Sequence, residues 1–495
     1  MSHLGRAYSA PCYLGGVLVA REVPIAPDPI GIARVLAESS EPHVALLHAG
    51  ERRAGGFDRW SFIAAGPDRR SDALDPLADD DRLEPPGGWA HVPRWIGVIP
   101  YESRRSALER PAWTAADTRP ASALTGAEWH RYPAVACVDH LQGRVFVVGV
   151  TREQVERLAR TLRAASHAGL FAAAPFPGRS FTSPALPGGL VLSETEPAER
   201  HVERIRAAQE LIRRGDLYQV NLARALRLEI QGDTPSPTQV LALYERLIRT
   251  APTPLGACLG LENGVNVIST SPELLLRALP RDGQDELDRR TKGEPEIDAS
   301  ATTFGPIFTA PIKGTRPRGI SAVEDEVLAR ELDEDPKERA ELAMILDVER
   351  NDLGRVAEVG SVRIAAGPEV VTHRTIHHRE ALLAARVRSG LSRHAVLCSM
   401  VPSGSVTGAP KVRAMEVIAA LEPRRRGLYT GGIGYASHDG GMTLSMAIRT
   451  LVLQGGEGEY LTGGGIVADS SPARELEETR WKAIQIERLI RGAGG

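Results

Sequence analysis

One lysine, Lys313, stands in the stretch FTAPIKGTRPRGI (308–320), with Pro311 and Gly314 at its sides and Arg316 and Arg318 behind it. An amine on so stiff and cationic a turn is a nucleophile where neighbouring charge or burial favours its neutral form, and a wet loop residue otherwise. Carboxylates gather in two other stretches. In DEDPKERAELAMILDVERNDLGR (333–355), Glu341 falls at the border of the helical apolar stripe of Leu342, Ile345 and Leu346. In ARELEETRWKAIQIERLI (473–490), Glu475, Glu478 and Lys482 share one helix face at spacings of three and four. The plain reading of that face is an exposed Glu478–Lys482 pair. The alternative is oxygen ligation of a hard cation, for which Mg²⁺ suits because it takes few protein carboxylates and completes its shell with water and substrate. Two Gly-rich stretches, VPSGSVTGAPKVRAMEVIAALEP (401–423) and GGIGYASHDGG (431–441), offer backbone N–H groups to an anion. The first lacks the spacing of a nucleotide P-loop, and the second lacks the strand–helix unit of a dinucleotide site. Carboxylates, anion-accepting loops and bases including Arg449 suit a small polyanionic metabolite bound through Mg²⁺.

The elements that position these groups carry their own signals. Asp335 as N-cap, Pro336, Glu338 and Gly354 as C-cap bound one helix, and Ser471 and Pro472 open another. Apolar runs such as HVALLHA, WIGVIPY, RVFVVGV, VNLARALRLEI, GVNVIST and MTLSMAIRTLVL read as strands. TREQVERLARTLRAA and AERHVERIRAAQELIRRG read as helices. The pattern is α+β with large antiparallel sheets. A Pro/Gly/Ser-rich seam at 172–190 separates an N-terminal subdomain (1–175) from a larger unit (185–495), and a polar stretch at 278–306 reads as an exposed insertion.

The chain has 495 residues and a net charge of -3, with arginines interspersed among acids, which argues against a nucleic-acid binder. Cys12, Cys137, Cys258 and Cys398 are widely separated and indicate neither a zinc site nor a disulfide framework. No run reads as a signal peptide or membrane span, so a cytoplasmic protein is expected.

In order along the chain stand GDLYQVNLAR, STSPELLLR, PIKGTRPRG, ELAMILDVERNDLGR, PSGSVTGAPKVRAMEVI, GLYTGGIGYAS, AIRT and GGGIVADSSP. This series resembles the chorismate-utilising enzymes, in particular component I of anthranilate synthase and of aminodeoxychorismate synthase. The likeness is strong over 190–492 and weaker at RWSFIAAGP (59–67). It implies a sandwich of large antiparallel sheets flanked by helices. Anthranilate synthases look like P-I-A-G-T where this chain has PIKGT, the form of aminodeoxychorismate synthases. The resemblance therefore implies amination of chorismate at C4, toward 4-aminobenzoate. Lys313 would add at C2, Glu273 would be the acid for the departing hydroxyl, and His378 matches a histidine that assists pyruvate elimination in anthranilate synthases.

Residue by residue, the resemblance further implies Glu341, Glu475 and Glu478 as Mg²⁺ ligands, and Gly314, Thr315, Thr407, Tyr429, Arg449, Gly465 and Lys482 as substrate-binding. Gln219 replaces the lysine base of water-using relatives, and a neutral amide cannot activate water, so ammonia is the expected nucleophile. Lys313 must lose its proton to attack; Arg316 and Arg318, if close, favour that loss, while Glu273 opposes it until protonated, so a coupled pair is expected. Departures from the pattern are Ala310 in place of an arginine, the insertion separating Glu273 from Lys313, and THRTIHHREA. LLHA (46–49) and APTPLGA (251–257) lack the pattern of tryptophan-inhibited relatives. No cysteine sits in a glutaminase-type elbow and no C-terminal lyase segment is read, so ammonia is expected from solution or from a separate glutamine amidotransferase subunit. The competing readings are an anthranilate synthase component I and a non-catalytic chorismate-binding regulatory partner.

Overall fold

The computed structural model describes residues 18–39, 41–49, 59–78, 88–103, 117–171, 189–280, 304–373 and 376–491. Cys12, nearly all of the 172–190 seam and positions 281–303 of the insertion lie outside the described residues. The ends of the insertion belong to the strands Leu274–Pro280 and Phe304–Ala310.

Short β-rich runs become strands because nearly every side chain in them is buried. In Arg144–Gly149, Val145 and Val147 join one apolar cluster and Phe146 and Val148 another. A strand covered on both faces shows a continuous apolar run rather than alternation. Such strands assemble into a 12-stranded and a 10-stranded antiparallel sheet, each drawing strands from both sides of the seam. Phe62, Val135, Ala257 and Val267 from the larger sheet meet Ile96, Val98 and Ile433 from the smaller one, forming the core between the sheets. Helices Pro29–Glu38, Arg152–His167, Pro237–Thr250 and Pro472–Arg491 cover the outer face of the larger sheet. Pro336–Gly354 and Arg393–Met400 cover the smaller one. The result is an α+β sandwich flanked by helices.

Local signals account for the helix starts. Thr151 and Gln154 form a capping box, and Asp335 accepts from the amides of Lys337 and Glu338 ahead of Pro336. The expected C-cap at Gly354 is displaced by one residue: Gly354 is helical and Arg355 is the cap.

MTLSMAIRTLVL is two strands, not one. Met442–Met446 belongs to the smaller sheet and Thr450–Gln454 to the larger, and the chain crosses between them through Ala447, Ile448 and Arg449. Its neighbour crosses alongside: Val265–Ser271 is in the larger sheet, Leu274–Pro280 in the smaller, and Pro272 and Glu273 lie between. The pair is tied by Met446 N donating to Glu273 O at 2.9 Å and Thr270 N to Arg449 O at 3.1 Å. Arg449 makes the bend with φ of 51°, a left-handed value unusual for a residue with a Cβ.

A buried guanidinium fastens the surrounding loops. Arg426, 1% exposed, donates to Glu422 Oε1 at 2.6 Å, to Val406 O and to Asn221 O at 2.9 Å each, and to Thr430 Oγ1 at 3.3 Å. Glu422 Oε1 also accepts from Ala223 N at 2.9 Å, so one ion pair joins four segments. Removing one partner of a buried pair costs about 3–5 kcal/mol because the other charge stays buried. Arg426→Met is expected to lose that much stability in urea unfolding; a loss below about 1 kcal/mol contradicts the assigned role.

Candidate active site

The two crossings bring Glu273 and Arg449 to the junction between the sheets. Glu273 is 6% exposed and its Oε1 accepts from Ser405 Oγ at 3.0 Å. Burial lifts its carboxyl from an ordinary 4.5 to about 7, while Lys313, Ser405, Arg449 and Lys482 pull it back. Burial likewise pushes Arg449 below its ordinary value, against the opposing pull of Tyr460 and Glu273. Tyr429 is 8% exposed and burial raises its phenol, with Arg426 opposing and Glu273 among the lesser contributors.

The insertion does not separate Glu273 from Lys313. Strands Leu274–Pro280 and Phe304–Ala310 form an antiparallel ladder in which Leu274 faces Ala310, so the ends of the insertion close on each other and Glu273 lies beside Pro311. Ala310, where an arginine was expected, is buried in that ladder. Lys313 follows in the strand Ile312–Pro317, half-buried and opposite Arg379. Gly314 breaks the register with φ of 76°, and a Cβ there would lie 2.6 Å from Leu332 Cδ1 and 3.0 Å from Glu338 Oε2, so glycine is required twice over.

Arg316 and Arg318 are each paired with an aspartate. Arg316 pairs with Asp335 at 2.9 Å and Arg318 with Asp325 at 2.7 Å, on the two following helices. His378 is 2% exposed, with Nδ1 at 3.0 Å from Thr315 Oγ1 and 3.3 Å from Gly314 O, which brings the two predicted positions after Lys313 against it.

The strand Glu457–Ile466 supplies one wall, and three of its four glycines, Gly463 to Gly465, explain themselves by what they touch. A Cβ on Gly463 would lie 3.0 Å from Tyr429 Oη, one on Gly464 would lie 3.1 Å from Glu475 Oε2, and one on Gly465 would collide with the Gln219 amide. Gln219 is 3% exposed, and its Oε1 has no hydrogen-bond partner among the described residues. Lys482 donates to Gly463 O at 2.9 Å and pairs with Glu478 at 2.7 Å.

Glu341 lies on helix Pro336–Gly354, and Glu475 and Glu478 lie on helix Pro472–Arg491. Lys337 lies 3.4 Å from Glu341, and its ammonium is favoured, against some desolvation, by Glu341, Glu475 and Glu338. Glu475 is buried; desolvation raises its carboxyl, as does Glu478. Desolvation opposes the charge on Glu478, but Lys482, Lys313 and Lys337 outweigh it and the carboxyl sits below its ordinary value. Lys313 thus acts on both Glu273 and Glu478. The three carboxylates do not converge within 4.8 Å, a spacing reached among the described residues by His43, His130 and Glu262. Their donor chemistry nonetheless fits a hard divalent cation, since all three offer oxygen ligands only.

The loop expected to receive an anion already holds two carboxyl groups from the chain itself. Gly404 N donates to Asp352 at 3.1 Å and Ser405 N to Glu349 at 3.3 Å. Thr407, fully buried, donates its hydroxyl to Ser403 O at 2.8 Å. Glu349 is 1% exposed and its Oε1 contacts Ser403 Oγ; Ser403 Oγ lies 2.9 Å from Ser405 Oγ, and Ser405 Oγ donates to Glu273. Hydroxyls therefore link two buried carboxyls, while Lys411 neutralises Asp352 at 2.7 Å. Burial lifts Glu349 to about 7, helped by Asp352 and Glu273 against Ser403 and Lys411. Sequence reasoning missed Glu349, Asp352, Ser403 and Ser405. The available signal was a glutamate continuing the buried stripe of Leu342, Ile345 and Leu346.

The comparisons agree with this architecture. The family model described as chorismate binding enzyme matches residues 42–284 and 298–488, and the chain belongs to that family. It is 35% identical over 470 residues to anthranilate synthase component 1 from Streptomyces coelicolor, covering 89% of this chain and 82% of that one. It is equally 35% identical over 403 residues to an aminodeoxychorismate synthase from Streptomyces griseus, covering 80% of this chain and half of that one. The fold matches anthranilate synthase component I from Streptococcus pneumoniae with a TM-score of 0.64 at 24% identity, over 97% of this chain and 94% of that one.

Glu349 gives the site a pH signature. Its folded carboxyl titrates near 7 and its unfolded one near 4.5, so its stabilising contribution is present at low pH and lost as pH rises through 7. Between pH 4.5 and 8 the wild type is expected to lose about 3 kcal/mol relative to Glu349→Gln, read by urea unfolding at each pH. Parallel pH profiles contradict a protonated Glu349.

Proposed function

We propose that this chain is the chorismate-aminating component of an aminodeoxychorismate synthase, converting chorismate and ammonia to 4-amino-4-deoxychorismate. The observation that carries this reading is Lys313, half-buried beside Glu273 and acting electrostatically on both Glu273 and Glu478. In this reading the Lys313 amine bonds to C2 of chorismate, the ring double bonds shift, and the C4–O bond breaks. Glu273, which titrates near 7, delivers its proton to the departing hydroxyl, which leaves as water. Ammonia then bonds to C4, the double bonds return, and the C2–N bond to Lys313 breaks.

Arg449, Tyr429, Lys482 and the Gly465 backbone are assigned to the substrate carboxylates, with Gly314, Thr315, Thr407 and Gln219 around the ring. Gln219 brings no base, which favours ammonia over water. Glu341, Glu475 and Glu478 would hold Mg²⁺, which when bound supplies Lewis-acid charge to a substrate carboxylate. The ammonia source in this reading is a separate glutamine amidotransferase subunit and the setting cytoplasmic. No helix among the described residues is long and apolar enough to cross a membrane.

A specific observation favours a second reading, anthranilate synthase component I: His378 is held against Thr315 and Gly314, beside the same strand. Mass spectrometry of products from chorismate, Mg²⁺ and ammonium separates the two. The expected product is 4-amino-4-deoxychorismate, and Lys313→Ala is expected to abolish most amination at low ammonium. Anthranilate with pyruvate, or unchanged amination by the variant, overturns the proposal.

A further inference from the structure

A second cluster of ligating side chains lies at the other end of the hairpin that leads to Glu273. His43 precedes the strand Ala45–His48, Glu262 occupies the turn before Val265–Ser271, and Glu128 and His130 lie on Glu128–Arg131. The first two belong to the larger sheet and the last two to the smaller. The length of Val265–Ser271 puts this cluster about 20 Å from Glu273.

Its spacing is that of a coordination shell. His43 Nε2 lies 3.3 Å from Glu262 Oε1, and His130 Nε2 lies 3.8 Å from the same oxygen and 3.1 Å from Glu128 Oε1. Ligands about 2.1 Å from a tetrahedral metal stand about 3.4 Å apart. The imidazoles meet edge to face, with centroids 4.6 Å apart.

A second observation is the state of His130. It is 1% exposed, its Nδ1 has no hydrogen-bond partner among the described residues, and its Nε2 lies 3.1 Å and 3.8 Å from two carboxylates. A metal between Nε2 and those carboxylates would take up the imidazole lone pair and offset the carboxylate charge. The surroundings fix the ligands. Glu262 N donates to Glu128 Oε1 at 2.7 Å, and Tyr132 Oη donates to His43 O at 2.7 Å. His43 is itself held at φ of 51°, so its loop is constrained rather than relaxed.

We propose that His43, His130 and Glu262 form a site for a divalent transition metal of the zinc class that clips the two sheets together. Two imidazoles select such a metal over Mg²⁺. It stands independently of the assignment of the chorismate chemistry.

The test uses the full chain, stripped with a chelator and kept in excess Mg²⁺ so that the all-oxygen site is filled. Titration with Co²⁺ is expected to give one equivalent with the intense visible bands of tetrahedral coordination, and Zn²⁺ is expected to raise the melting temperature. His43→Ala and Glu262→Ala, both at half-exposed positions, are expected to lose the bands and raise the Kd more than about tenfold. Glu341→Gln is expected to keep them. Absence of tetrahedral bands in the wild type, or their survival in both ligand variants, overturns the proposal and leaves histidinium–carboxylate ion pairs.

Discussion

The site depends on two neighbouring strands leaving one sheet for the other at the same level. An antiparallel ladder satisfies its own backbone, so a strand that changes sheets must pay for the break elsewhere. Here the two breaks satisfy each other: Met446 N finds Glu273 O, and Thr270 N finds Arg449 O. A third segment closes the gap, with Thr430 N donating to Ala447 O and Ala447 N to Gly431 O. Glu273, Arg449 and Tyr429 therefore reach the junction as consequences of one backbone arrangement, and Arg426 fixes it from behind.

Burial at that junction sets the chemistry. Two carboxyls, Glu273 and Glu349, are each lifted to about 7 by loss of solvent and are joined through Ser405 and Ser403. Ammoniums and guanidiniums lie on the Glu273 side, whereas Asp352 and Lys411 accompany Glu349. An acid that holds its proton near neutral pH follows from this placement, with no need for a special residue type. The same logic explains the Gly/Ser/Thr loop, whose amides receive the chain's own carboxyl groups.

Much of this was legible from sequence where the signal was local. Thr151 with Gln154 and Asp335 with Pro336 mark their helices, and the ordered motifs point to the family that the comparisons then show. What could not be read was set by distant partners. MTLSMAIRTLVL has an unbroken apolar pattern, and Arg449 carries no glycine-like mark of the bend it makes. Arg316 and Arg318 look like neighbours of Lys313 along the chain, yet Asp335 and Asp325 take their charge. The break between Glu273 and Lys313 looked like separation because ladder register, which brings Leu274 to Ala310, is invisible to periodicity.

The central claim is that the crossing puts Glu273 in electrostatic contact with Lys313 and keeps its carboxyl protonated near neutrality. Carbon-13 NMR of labelled glutamate, assigned with Glu273→Gln, reads that titration directly. The Glu273 midpoint is expected near 7 in the wild type and higher in Lys313→Met, since removing the ammonium removes a force that lowers it. A midpoint below 5, or one that does not move in Lys313→Met, contradicts the account.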